Sequence, residues 1–170
     1  MPTPQLKKIA FVGDYLPRKC GIATFTHDLR ASIAQASGAE CIVVPMDDIA
    51  GGYDYENEVQ FQVNEQDIED YRAAADFLNF SNVDIVCLQH EFGIFGGPCG
   101  SHILALLQDL RMPIVTTLHT VLSEPSQTQR AVMTQLIRLS TRLVVMTERC
   151  RRTLINTYSV DCAQVDLIAH

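Results

Sequence analysis

The chain has 170 residues, a length that fits one domain with an ordinary hydrophobic core. Hydrophobic residues make up 47% of it and the mean hydropathy is +0.07, values typical of a folded rather than a disordered chain. The formal net charge of −7 argues against a nucleic-acid or anionic-membrane surface, because such partners require a basic footprint. We therefore expect a globular domain that has no nucleic-acid partner.

The six cysteines do not have the spacing of a disulfide framework or a metal site. Cys41 and Cys87 lie inside apolar, strand-like runs, and no C-x-x-C pair occurs. This pattern indicates free thiols in a reducing compartment. The first apolar run, residues 9–13, is far too short for a signal-peptide core or a membrane span. The sequence thus predicts a cytoplasmic protein with no transmembrane segment.

The first half of the chain reads as a βαβ unit followed by an irregular segment. Residues 9–13 and 41–44 are apolar runs typical of buried parallel strands. Between them, an apolar stripe at helical spacing predicts a helix that ends at Gly38. Residues 47–57 are acidic and contain glycine, which indicates an exposed loop, and alternation over residues 58–63 predicts a shorter edge strand.

The second half repeats the alternation of helix and strand. Helices are expected over residues 68–78, 101–110, 127–139 and 148–158. Strands are expected over residues 83–88, 113–118, 142–146 and from Val165 to a polar tip at His170. About seven strands thus alternate with about six helices. The sequence predicts an α/β fold with one doubly wound, mostly parallel, Rossmann-like sheet in a single domain.

Ligands of open α/β sheets bind at the carboxyl ends of the strands, so the residues that follow each strand are the candidates. Arg18, Lys19 and Gly21 follow the first strand. The glycine permits close backbone approach at a helix start, where free N–H groups favour an anion. The helix dipole alone contributes about 0.3–1 kcal/mol, so a phosphate would also need the basic side chains. The alternative interpretation is a turn glycine beside solvated basic residues.

A polar triplet, Gln89, His90 and Glu91, ends the fourth strand and precedes a glycine-rich loop. An imidazole beside a carboxylate suits hydrogen bonding to hydroxyl-rich ligands or proton transfer. The spacing of the glycines matches neither a P-loop nor a dinucleotide fingerprint. The alternative interpretation is that His90 and Glu91 only cap the strand and the loop.

His119 follows the fifth strand beside hydroxyl side chains, and we interpret it as a functional rather than a core histidine. His90, His102 and His119 lack the spacing of metal ligands, so we predict no metal and no cofactor. A cysteine nucleophile is also disfavoured, because no nucleophile elbow or protease signature accompanies Cys20 or Cys99.

Taken together, these strand tips resemble the N-terminal Rossmann-like domain of family 4 (group 1) retaining glycosyltransferases of the GT-B fold. The resemblance rests on five segments in order, which together cover nearly the whole chain: PRKCGIATFTHDL at residues 17–29, LQHEFGIFGG at 88–97, TTLHTVL at 116–122, VVMTE at 144–148 and the terminal LIAH. The first three segments are fairly specific in combination.

The resemblance implies a role for each candidate residue. His119 matches the histidine that lies close to the transferred sugar, and it is the expected catalytic residue. The polar positions on the acceptor side of the cleft match Gln89, His90 and Glu91. The loop that approaches the donor phosphate matches Arg18, Lys19 and Gly21, although this loop has one glycine where many relatives have two.

The resemblance also implies partners. They are a nucleotide-sugar donor, a hydroxylated acceptor and a second, donor-binding Rossmann-like domain, which residues 1–170 do not contain. These residues would form the acceptor-side domain, inactive on their own. One alternative is a stand-alone sugar- or nucleotide-binding module without turnover; another is a nucleotide-sugar epimerase or a dehydrogenase. A dimer contact on the apolar helix faces is left open.

Overall fold

The computed structural model describes residues 6–169, and His170, the expected polar tip of the last strand, lies outside them. Seven parallel strands form one sheet in the order β3-β2-β1-β4-β5-β6-β7. Their bounds are β1 Lys8–Gly13, β2 Glu40–Asp47, β3 Val63–Asn64, β4 Ile85–His90, β5 Ile114–Leu118, β6 Arg142–Val145 and β7 Val165–Leu167. The predicted α/β, Rossmann-like fold is confirmed, and every strand pairing in the described chain is parallel.

Five α-helices connect the strands: α1 Gly21–Ser37, α2 Ile68–Phe80, α3 Ile103–Asp109, α4 Gln127–Leu139 and α5 Glu148–Tyr158. Several of their ends have a local cause. Gly38 adopts the left-handed conformation at the C-terminus of α1, with φ of 69°. Ser126 and Gln129 form a reciprocal capping box at the start of α4, and Thr147 caps α5. The predicted bounds of α4 and α5 are therefore confirmed.

The hydrophobic core lies on both faces of the sheet. On one face, the strands pack against buried side chains of α2, α3, α4 and α5, among them Tyr71, Leu106, Met133 and Leu154. On the other face, the smaller cluster around Ile9, Phe11 and Val43 is covered by residues of α1. Alternate residues of β1 and β2 therefore enter different clusters, as the pleat of a β-strand requires.

Three expectations about the elements need correction. The edge strand predicted over residues 58–63 is Val63–Asn64, because residues 58–60 meet β2 only through an isolated bridge between Val43 and Val59. Between these two contacts, Phe61 turns to stack on Phe77 of α2, with 5.3 Å between the ring centres. The described chain has five α-helices rather than six, and the last strand ends at Leu167.

An apolar cleft of about 210 Å³ lies between α1 and the strands that α1 does not cover. Its floor is the α1-side face of β4 to β6, and its wall is α1. The lining side chains are largely apolar: Phe25, Leu29, Ile33, Cys87, Val115, Val144, Met146, Ile168 and Ala169, with Gln89 and Thr117 as the polar members. Within residues 6–169, no helix is long and apolar enough to cross a membrane.

Candidate functional site

The order of the strands places a topological switch point between β1 and β4. From β1 the chain crosses to β2 on one side, whereas the later strands build outward on the other side. Such a point leaves a crevice at the carboxyl ends of the two central strands. Residues 18–21 follow β1, residues 89 and 90 end β4 with Glu91 directly after them, and His119 follows β5. The structure therefore brings the backbones of all the predicted site residues to one edge of the sheet, although their side chains point in different directions.

His119 is held at this edge from three directions. Its backbone N–H donates to the carbonyl oxygen of His90 at 3.0 Å, which continues the β4–β5 ladder by one residue. Its ring Nε2 lies 3.0 Å from Oε1 of Gln89. The ring of Phe25 meets it edge to face at 4.9 Å and 89°. The imidazole is half-buried, so its orientation is defined while part of its surface stays accessible.

Glu91 follows β4 and accepts hydrogen bonds with both carboxylate oxygens. The hydroxyl of Thr120 donates to Oε2, and the backbone N–H of Phe92 donates to Oε1 at 2.8 Å. The second bond caps the 3₁₀ turn Phe92–Ile94. Glu91 therefore does cap the loop, as the alternative interpretation of the sequence expected. It is also half-buried at the edge, where a ligand hydroxyl could reach it.

His90 lies behind this edge rather than on it. Its side chain is 0% exposed and packs between the rings of Phe92 and Phe95, at 5.1 and 5.8 Å between ring centres. Burial, followed by the charge of the neighbouring His119, lowers the pKa of His90 to about 3, so the ring is neutral at pH 7. Neither ring nitrogen has a hydrogen-bond partner among the described residues.

Arg18 faces inward to a cluster of carboxylates instead of outward to solvent. Its guanidinium lies 2.9 Å from Asp14, 3.4 Å from Asp48 and 3.4 Å from Glu65. Asp14 is almost fully buried, and burial raises its pKa to about 6, against the hydrogen bond from Cys20 and the charge of Arg18. The positive charge of Arg18 is thus largely compensated, which leaves Lys19 as the exposed basic residue of this loop.

Gly21 is the first residue of α1, and its surroundings are open. A side chain added there would meet nothing within 4 Å. Cys20 caps this end of the helix through a hydrogen bond from the backbone N–H of Ala23 to Sγ, at 3.2 Å. Phe25, one turn further along α1, contacts His119. The start of α1 therefore faces the same edge as His119, as a phosphate-side loop would have to do.

Some residues of the site were not predicted from the sequence. Asp14 directly follows the first predicted strand, and Thr120 directly follows His119. Nothing in the sequence indicates that Asp14 contacts Arg18 or that Thr120 contacts Glu91. Phe25 belongs to the predicted apolar stripe of α1. Phe25 lies one turn after the start of α1, and this position in the sequence indicates that its side chain can reach the edge of the sheet.

The fold and the site together define a class: a doubly wound α/β domain with its candidate site at the topological switch point. The sequence model of Glycosyltransferase Family 4 matches residues 20–170 of the chain. The chain therefore belongs to Glycosyltransferase Family 4, and the resemblance noted in its sequence is confirmed. Comparison with curated protein sequences finds no match.

Solved structures show the same fold at low sequence identity. A glycosyltransferase from Rickettsia africae superposes with a TM-score of 0.66 at 14% identity, covering 98% of this chain and 44% of the other. An alpha-glucosyltransferase in complex with UDP and DNA gives 0.64 at 12% identity, covering 95% and 41%. The UDP-GlcNAc 2-epimerase of Methanocaldococcus jannaschii gives 0.64 at 8% identity, covering 95% and 45%. The chain thus spans less than half the length of these neighbours.

Proposed function

We propose that the chain forms the acceptor-side half of a retaining glycosyltransferase that moves a sugar from a nucleotide-sugar donor to an acceptor hydroxyl. One observation carries the proposal: His119, Glu91 and the start of α1 converge on the crevice at the switch point. The family match supports a transferase, and a UDP complex among the structural neighbours supports a nucleotide-sugar as donor. A second Rossmann-like domain would supply most of the donor contacts.

In this proposal, His119 contacts the transferred sugar. Its ring is held in place by Gln89 and Phe25, so little of the binding free energy is lost to ordering the imidazole. Glu91 takes the acceptor side, where a carboxylate oxygen can accept a hydrogen bond from a hydroxyl. Gln89 and His90, whose side chains are fully buried, form the wall behind the acceptor.

Lys19 and the first turn of α1 take the phosphate side of the site. A helix N-terminus and one exposed cation both favour a diphosphate, whose negative charge grows as it leaves the sugar. Arg18 supports this loop from within, because its three carboxylate partners come from the first strand's tip, the segment after β2 and the segment after β3. Gly21 leaves the approach to the helix free of a side chain.

The chemistry needs positioning and electrostatics more than a dedicated base. The bond between the anomeric carbon and the diphosphate oxygen breaks, with its electron pair leaving on the phosphate. The acceptor oxygen forms its bond on the same face of the sugar, and its proton passes to the departing diphosphate oxygen. Holding the acceptor hydroxyl near the anomeric carbon supplies much of the rate enhancement in reactions of this kind.

Two rival functions make different predictions. A nucleotide-sugar epimerase shares this fold, but the likeness at 8% identity concerns the fold alone, and the family match favours transfer. A stand-alone binding module would take up a nucleotide-sugar or a sugar without turnover. Calorimetry that shows tight binding by the natural protein, together with no transfer to any acceptor, would favour the module.

His119 provides the test of the proposed activity. In the natural full-length protein, we expect His119→Ala to lower kcat for sugar transfer by about 10²- to 10³-fold, as removal of a preorganised polar group does. Transfer is measured with labelled nucleotide-sugars, starting with a UDP-sugar. His27→Ala, a change on α1 outside the proposed site, is the matched control and should keep normal transfer. Normal transfer by the His119 variant would remove His119 from the mechanism.

A further inference from the structure

Gln89 occupies an unusual position between two neighbouring strands. It ends β4, and its side chain is 0% exposed although the residue stands at the ligand-binding edge of the sheet. On the β5 side, its Oε1 lies 3.0 Å from Nε2 of His119. On the β1 side, it lies against Gly13. Burying a polar amide costs solvation free energy, and the hydrogen bond to His119 offsets part of that cost. The pairing of Gln89 with His119 therefore suggests that Gln89 has a specific role.

The contact with Gly13 shows how tightly Gln89 is seated. A Cβ atom at Gly13 would lie 2.9 Å from Cβ of Gln89 and 3.2 Å from its carbonyl oxygen. Gly13 also has φ of +146°, a conformation that side chains rarely adopt. Only glycine therefore lets the end of β1 approach β4 this closely. The backbone of β1 thus restricts the directions in which the Gln89 side chain can point.

The hydrogen bond from His119 to Gln89 also selects a state of the imidazole. An amide oxygen can only accept, so the ring nitrogen that faces it must carry a proton. The neutral His119 ring therefore has its proton on Nε2 and its lone pair on Nδ1. The edge-on contact with Phe25 packs against the ring and favours the orientation in which Nε2 faces Gln89.

We propose that Gln89 is a positioning residue for His119, holding its imidazole in one orientation with the proton on Nε2. The inference rests on the proposed role of His119 in sugar transfer and adds a specific requirement to it. The chain Gly13–Gln89–His119 links β1, β4 and β5 across the switch point.

The test uses imidazole ¹H–¹⁵N NMR of this chain without any ligand. The signal of His119 is the one, among five histidines, that disappears in His119→Gln. We expect the Nε2–H form and an Nε2 proton protected from exchange with water. Gln89→Met keeps the length of the side chain but has no amide oxygen, and it should speed this exchange about fivefold or more, the equivalent of one ordinary hydrogen bond. Gln89→Glu keeps an acceptor and should keep the protection.

Gln108→Met, at an exposed position of α3, is the matched control and should leave the His119 signal unchanged. An Nδ1–H form in the unmodified chain overturns the proposal, and so does equal exchange in Gln89→Met. If Gln89→Met does not fold, the exchange of the His119 Nε2 proton in Gln89→Glu tests the proposal by itself. This variant still has an oxygen that accepts the hydrogen bond, so loss of protection in it would contradict the assigned contact.

A second measurement separates positioning from a general structural role. In the transfer assay, Gln89→Met should lower kcat in the unmodified protein and have no further effect in the His119→Ala background, because it acts through His119. Additive losses in the double variant would refute the inference. The NMR result does not depend on activity, so a failure of the proposed function is distinguishable from a failure of the Gln89–His119 contact.

Discussion

Gly13→Ala is a substitution with a definite expected effect on stability. The new methyl group would lie 2.9 Å from Cβ of Gln89, closer than carbon atoms approach without displacement. It would also force a side chain into φ of +146°. Backbone strain of this kind costs about 1–3 kcal/mol. Crowding in a packed interior costs about a further 1–3 kcal/mol, so the free energy of unfolding should fall by about 2–6 kcal/mol.

Urea denaturation followed by circular dichroism measures this loss, with an unchanged slope as evidence that the two-state transition is kept. Gly21→Ala is the matched control. The new methyl group at Gly21 would meet nothing within 4 Å, and alanine favours a helix over glycine by up to about 1 kcal/mol. We expect that variant to be as stable as the unmodified chain or slightly more stable. A Gly13→Ala chain within about 0.5 kcal/mol of the unmodified one would refute the argument from close strand approach.

Two further predictions concern stability away from His119. Because burial raises the pKa of Asp14 from 3.8 to about 6, the folded chain keeps this proton between those pH values while the unfolded chain has lost it. The stability contributed by Asp14 is thus present below pH 4 and lost as the pH rises through 6. Asp14→Asn should gain about 3 kcal/mol relative to the unmodified chain between pH 4 and pH 7 in urea titrations, and a constant difference would contradict this. Ser126→Ala removes the capping box of α4 and should cost about 1 kcal/mol by thermal melting, whereas Ser123→Ala, an exposed position before the cap, should change little.

Arg18 has a structural role in the loop between β1 and α1, which the proposed function assigns to the phosphate side of the site. The sequence alone does not distinguish the roles of Arg18 and Lys19, but in the structure Arg18 bridges three carboxylates while Lys19 is exposed. The neighbouring Asp14 is the buried centre of that cluster. Arg18 therefore orders the turn between β1 and α1, and this ordered turn presents the helix start that the proposed function assigns to the donor phosphate.

The helices and the buried strands could be predicted from the sequence because their signals are local. The bounds of α4 and α5 follow from caps and from apolar residues at helical spacing, all within a few residues of one another. The edge strand could not be predicted in the same way. Alternation over residues 58–63 suits a strand, but pairing depends on β2, and the contact of Phe61 with Phe77 takes the chain away from it.

The candidate site, too, could be predicted from the sequence only in part. The sequence determined which residues stand at the strand ends, because parallel strands separated by helices must bring their carboxyl ends to one edge. Only the tertiary structure decided what each side chain does there. His90 turns into the core while Gln89 turns toward His119, a residue 30 positions away, because successive side chains of a strand point to opposite faces and the strand order determines what each face meets. Contacts between distant segments have no local signature, so hydrogen bonds such as Gln89–His119 emerge only from the folded sheet.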